Sequence, residues 1–318
     1  MRLSIILVLT TVALFLASCS SGGNQQSLGS TFIGGVEGIT IGFEQGQPPA
    51  EVYDSGQQSF SITLKVQNKG EFDVPKNKTT ITLSGFNPTT FNRTRTQLSQ
   101  SSPDDLLALR KLPTGDIQEQ PPTQVEFPNM NHNGKVIGLE QKVPVEARIC
   151  YEYKNTATTN LCVRKNLITP ATGGVCEVVG SKEASNSGGP IQITAIKTSA
   201  RSQNSLGIAF TISHQGTGAV YKLLSQCSQS QQQRVEEGRI LVKIDSGLTG
   251  LSCTGLSDTS TSGTTFQGVA KFMGTPLTIT CTQQISDLND YSQPVTITTE
   301  YNYEEIATTT LTVKSSTG

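Results

Sequence analysis

Seven cysteines, two histidines and 25 acidic residues are the groups through which this 318-residue chain could do chemistry. Nucleophilic catalysis needs Ser, Thr or Cys with a base in reach, and metal chemistry needs clustered His, Cys or carboxylate. The chain has no G-x-S-x-G, H-E-x-x-H, P-loop or EF-hand pattern. His214 stands in an SHQG turn at the end of an alternating segment, and His132 stands in NMNHNG without an acidic neighbour. Asp104 and Asp105 precede an apolar run and read as charge at a helix N-terminus. Glu236-Glu237 and Glu304-Glu305 read as solubilising charge at turns. The stretch SDLNDYS offers Asp287, Asn289 and Asp290 as calcium-type oxygen ligands, a set that a solvated turn explains more simply. Asn77-Lys78-Thr79 and Asn92-Arg93-Thr94 are N-glycosylation acceptor patterns, relevant only in an organism that glycosylates Asn. These residues therefore describe a protein that is not an enzyme, with no catalytic residue, resident metal or cofactor.

The cysteines carry the remaining chemistry. Met1-Arg2 is a minimal basic start, and Leu3 to Leu16 is an apolar run interrupted by Ser4, Thr10 and Thr11. That length fits a secretory signal and is short for a membrane-spanning helix. The run ends in Leu16-Ala17-Ser18-Cys19, which resembles the prokaryotic lipobox, where cleavage precedes a cysteine whose thiol takes a diacylglycerol. Cys19 is thus expected to be lipidated, and two acyl chains suffice for stable anchoring. Residues 1–18 are read as signal peptide and 19–30, rich in Ser, Gly and Gln, as a flexible tether.

With Cys19 assigned to lipid, six cysteines remain, an even set in an exported chain, where disulfides are expected. Cys150 and Cys162 share one face of a hairpin-like stretch and are expected to bridge across it. Cys176, Cys227, Cys253 and Cys281 allow three connectivities; Cys253–Cys281 is preferred because both flank one strand pair, which leaves Cys176–Cys227. No pair has the C-x2–4-C spacing of a zinc site.

The elements that hold these residues are strands. Pro144–Val163 and Pro294–Val313 lie 150 residues apart and are identical at nine of twenty positions without a gap. In each, apolar residues alternate with polar ones: Val145, Ala147, Ile149, Tyr151 and Tyr153, then Val295, Ile297, Tyr301 and Tyr303. Such alternation buries one face of a strand. Each copy is expected to fold as a hairpin, turning at KNTAT or near Glu304 to Ala307, with Leu161 and Val163, or Leu311 and Val313, resuming the inward register. Phe60–Val74 also resembles Leu206–Tyr221, with Gly70 matching Gly216. The expected organisation is two tandem β-sandwich modules, 31–168 and 175–318, joined by a linker over 169–174. Residues 88–134 are expected to be an irregular surface insertion, containing the one convincing helix at Ser102–Leu112; Ser228–Gly238 is a weaker helix candidate.

The strands ending in a polar-polar-Gly turn, the closing repeat and the tandem layout resemble the Ig-like modules of prokaryotic surface proteins, including CARDB-type adhesion modules. That resemblance implies an all-β fold of two tandem Ig-like β-sandwich domains behind a lipoprotein signal peptide and tether. It implies a membrane-anchored cell-surface protein facing the periplasm or exterior and acting in adhesion, binding or surface structure. Two other readings fit the same residues: a subunit of an envelope complex or filament, and a solute- or glycan-binding lipoprotein or enzyme accessory. The expected partners are the membrane, through the lipid, and a protein of the envelope. A net charge of −1 gives no electrostatic case for nucleic acid, and the absence of Trp weighs against a sugar platform.

Overall fold

Val, Ile, Thr and Tyr recurring at every second position dictate strands, and strands are nearly all that forms. The computed structural model describes residues 31–169, 176–227, 234–286 and 289–316. In chain order the strands are β1 Ile39–Phe43, β2 Glu51–Tyr53, β3 Ser59–Asn68, β4 Thr79–Ser84, β5 Ser99–Gln100, β6 Arg110–Lys111 and β7 Ile117–Gln118. There follow β8 Thr123–Asn131, β9 Glu140–Val163, β10 Gly180–Lys182, β11 Ser185–Asn186, β12 Ile191–Ser202, β13 Ser205–His214 and β14 Ala219–Tyr221. The last are β15 Arg239–Asp245, β16 Leu251–Thr254, β17 Ser257–Ser262, β18 Thr265–Lys271, β19 Leu277–Gln284 and β20 Tyr291–Lys314.

A three-stranded sheet runs β1-β3-β8, and a five-stranded one runs β10-β12-β13-β19-β16. The largest sheet runs β17-β18-β15-β20-β9-β4-β5, with β11 added to β9 and both β14 and β2 added to β20. The inward residues of all three meet in one continuous apolar cluster, which includes Ile62 and Leu64 of β3, Phe210 and Ile212 of β13, and Ile149 and Ile297 of the long strands.

The repeated segments are not hairpins. Each is one 24-residue strand, and β9 pairs antiparallel with β20 along its whole length, from Glu140↔Lys314 to Val163↔Tyr291. The inward residues expected from the alternation are the buried ones in both copies. The expected turn residues simply continue the strand. Asn155 and Ala157 keep the inward parity and are buried, as is Thr159. Because the two strands are repeats of each other and also pair antiparallel, they are related by a local twofold at Glu152↔Asn302. Around it, β4 pairs with the first half of β9 and β15 with the first half of β20.

Pro144 and Pro294, the same position in each repeat, fit inside strands because each lies just beyond its neighbour's end. β4 stops at Ser84↔Glu146 and β15 at Asp245↔Thr296, so neither strand needs the N–H that proline lacks.

The 88–134 insertion is partly regular. Its β8 is the third strand of a sheet, with Val125, Phe127 and Met130 buried. The helix expected at Ser102–Leu112 does not form. Leu106 pairs instead with Val74, and the Ala108 N–H donates to Asp73 Oδ1 at 2.7 Å. Leu106 and Ala108 are buried at strand spacing, and Asp105 accepts from the Lys76 N–H at 2.8 Å. At the weaker candidate, a single 3-10 turn spans Arg234–Glu236, while 228–233 lie outside the described residues.

Candidate functional site: the tyrosine waist and its acidic groove

Four tyrosines meet where the long strands cross the local twofold. Tyr151 faces Tyr303 and Tyr153 faces Tyr301 in register, and all four are buried. Their rings pack mostly edge to face at centroid distances of 5.7 Å (Tyr151–Tyr153), 5.8 Å (Tyr151–Tyr303) and 6.1 Å (Tyr301–Tyr303). Such pairs add about 0.5–1.5 kcal/mol each beyond burial.

Each hydroxyl finds a partner where a polypeptide segment enters or leaves a facing sheet. Tyr151 Oη accepts from the Ile39 N–H at 2.9 Å, at the start of β1. Its repeat equivalent Tyr301 donates to Asn155 Oδ1, which also accepts from the Ile191 N–H at the start of β12 (3.3 Å). Tyr153 Oη donates to the Gly188 carbonyl at 3.0 Å. Tyr303 Oη accepts from the Gly218 N–H at 2.8 Å and lies 2.8 Å from His214 Nε2. Gly70 and Gly216 lack a side chain for the same reason in both copies: a Cβ there would run into the Tyr153 or Tyr303 hydroxyl. Burial pushes the Tyr151, Tyr153, Tyr301 and Tyr303 hydroxyls above the ordinary tyrosine range. They are neutral packing groups that tie the long strands to the sheets.

Beside the waist an open groove of about 480 Å³ is lined by Thr217, Gly218, Tyr221, Glu237, Glu304 and Glu305. Glu304 is buried inside β20, not solvated at a turn. Burial pushes its carboxyl up, while Arg148 Nη1 and the Tyr221 hydroxyl, both donating at 3.2 Å, pull it back. Burial likewise raises Glu305, opposed by its hydrogen bond from Thr217 Oγ1 at 3.2 Å. Arg148 also holds Glu146. Among the described residues no cation pairs with Glu237 or Glu305, so the groove presents carboxylate acceptors to whatever enters it.

The six paired cysteines form three disulfides: Cys150–Cys227, Cys162–Cys176 and Cys253–Cys281, with Cα separations of 5.8, 5.5 and 4.0 Å. The last is the preferred pair, directly opposed across β16 and β19. Cys150–Cys162 and Cys176–Cys227 are not the pairs formed. Cys150 and Cys162 occupy one strand, and twelve residues of strand span about 40 Å. Three disulfides place the described chain in an oxidising, extracellular or periplasmic-type compartment.

The remaining sequence-derived sites scatter. Asp290 accepts from Arg164 Nε and the Lys165 N–H, both at 3.1 Å, so its carboxylate is already engaged. Asn289 is exposed, and Asp287 lies outside the described residues. Among the described residues no cluster of three metal-ligating side chains occurs. Asn77 and Asn92 are both exposed, on the turns before β4 and before β5. His132 is buried edge-on to Phe91 at 5.1 Å. Cys19, the signal segment and the tether lie outside the described residues, and among the described residues no helix is long and apolar enough to cross a membrane. The groove was hidden from sequence reasoning because Tyr221, Glu237 and Glu304 come from three distant segments.

No protein-family model matches the chain, and no curated protein matches it in sequence.

Proposed function

We propose that this is a non-catalytic, lipid-anchored cell-surface protein that works by binding, in adhesion or surface structure. The observation that carries the reading is the use made of the repeat. Its buried hydroxyls and shared strands are spent on a rigid frame, and three disulfides lock that frame. The groups left free are an acidic groove and sheet edges, which are recognition surfaces. The LASC tetrapeptide at 16–19 supports the anchor, and the Ig-like resemblance supports a surface role.

Two measurements test it. Cys19→Ala should move the protein from the membrane to the soluble fraction, and retention in the membrane would overturn the anchor. Labelled wild-type protein should bind envelope preparations of its source saturably; background-level binding would overturn the surface-binding role.

A further inference from the structure

The pseudo-twofold makes the two repeats a control for each other. Ala157-Thr158-Thr159 in β9 and Ala307-Thr308-Thr309 in β20 are the same residues at the same repeat position. On β9 the outer edge of this motif is occupied, because β11 pairs Ser185↔Thr158 and Asn186↔Ala157. Ala157 and Thr159 are accordingly buried. On β20 none of the described strands pairs with the matching edge, and Glu305, Ala307 and Thr309 remain half-exposed despite their inward parity.

The polarity of that edge follows from the ladder. The Ser315 N–H donates to Leu139 O at 3.0 Å, so odd residues of β20 bond with β9, and Lys314 O accepts from the Asp54 N–H on the other side (3.0 Å). The pairing has no register shift. Ile306, Thr308 and Thr310 therefore aim their N–H and C=O groups away from β9, where none of the described strands receives them. β14 ends the gap at Glu304 and β2 at Thr312, so the unpaired stretch matches the length of a strand of about five residues, roughly 17 Å, on a strand that β1 also packs against. Two of the other edges are guarded. On β8, Pro128 offers no N–H and the Glu126 carbonyl is taken by Gln100 Nε2 at 2.8 Å, while β17 is polar and bulged. The Ile306–Thr310 edge has neutral, mostly β-branched residues with no Pro or Lys.

We infer that the β20 edge from Ile306 to Thr310 is a strand-addition site for an extended peptide of a partner protein, with a basic residue seated in the acidic groove. A second copy's β20 does not fit, since it is 24 residues long and β14 and β2 already stand at both ends of the line. A peptide lying antiparallel, as β11 does on β9, carries its C-terminal end past Glu305 into the groove lined by Glu237 and Glu304. Main-chain bonds would give affinity and the carboxylates direction and selectivity. The inference deepens the proposed binding role and rests on it.

The test uses the purified full-length protein with its disulfides intact and two labelled nonapeptides of alternating Thr and Val. One ends in two arginines and the other in two glutamates. Fluorescence anisotropy should show saturable binding of the arginine peptide, at least tenfold tighter than the glutamate peptide. Thr308→Pro removes one outward N–H and no bond to β9, and should weaken binding at least tenfold. Glu237→Lys with Glu305→Lys should abolish the preference for arginine, and serves as the second variant should Thr308→Pro melt early. No saturable binding to wild type, or affinities unmoved by both variants, overturns the site. Concentration-dependent dimers that Thr308→Pro dissolves would overturn it in favour of a second copy. Failure of the peptide test with envelope binding intact removes this site alone.

Discussion

Gly70→Ala tests whether the tyrosine waist constrains the turns that pack on it. The new Cβ would meet the Tyr153 hydroxyl and would lie 2.7 Å from the Glu37 carbonyl oxygen and 2.9 Å from that of Gly188. Two of the three obstacles are backbone, so relief requires moving a sheet entry segment as well as a rotamer. Overpacking a filled site costs about 1–3 kcal/mol. For a unit of this size that lowers the melting temperature by about 2–10 °C. Tyr153→Phe alone removes the donor to Gly188 O and should cost about 1 kcal/mol. Because the phenylalanine ring also clears one of the three obstacles, the double variant should lose less than the sum of the single variants. The assay is reversible denaturation of all four proteins, with the coupling read from the cycle. The repeat supplies the replicate, since Gly216→Ala with Tyr303→Phe should couple with the same sign. Additive effects within about 0.5 kcal/mol in both cycles would refute the reasoning.

Non-reducing peptide mapping should recover only the Cys150–Cys227, Cys162–Cys176 and Cys253–Cys281 links; a Cys150–Cys162 peptide would contradict the fold. Chain-entropy scaling ranks their removal by loop length, 77, 14 and 28 residues, at about 4.5, 3 and 3.6 kcal/mol, so Cys150→Ser with Cys227→Ser should destabilise most. Asp54 accepts from the Val136 N–H at 2.7 Å and the Ser316 N–H at 2.8 Å, and these bonds, with those from the Ser316 and Ser55 side chains, hold its pKa well below the usual carboxylate range. A depressed folded pKa contributes stability above the unfolded value, about 3.9, and loses it as the pH falls through the folded value. Melting curves of wild type and Asp54→Asn should therefore differ at pH 7 and converge as the pH falls below about 3.9; a constant gap would contradict the assignment.

Much of the strand content was legible because period-two alternation reports which face of a strand is buried whatever its partner. Tyr151, Tyr153, Tyr301 and Tyr303 were placed inward by parity, and inward they lie. Pairing was not legible for the same reason. An odd-length turn such as the five-residue KNTAT preserves parity, so alternation through KNTATTNLCV fits a hairpin and a continuous strand equally. Choosing between them needs the partner, which lies about 150 residues away in sequence. The mistaken Cys150–Cys162 pair followed directly from the mistaken turn. The failed helix at Ser102–Leu112 had a correct local signal overridden by a tertiary one, the bonds of Leu106 and Ala108 to Val74 and Asp73. The acidic groove could not be read at all, because nothing local to Glu304 announces Arg148 or Tyr221.

The pairing of β9 with β20 is the claim on which the rest depends, and a cross-strand disulfide tests it most directly. Thr156 and Thr298 are opposed in register at a non-hydrogen-bonded position, half-exposed, with Cβ atoms pointing the same way. Thr156→Cys with Thr298→Cys should oxidise spontaneously to a fourth disulfide that mapping locates between the two repeats, with the native three intact. Two free thiols that alkylate fully in the folded, oxidised protein would mean that the repeats close on themselves, and the shared-strand frame would be wrong.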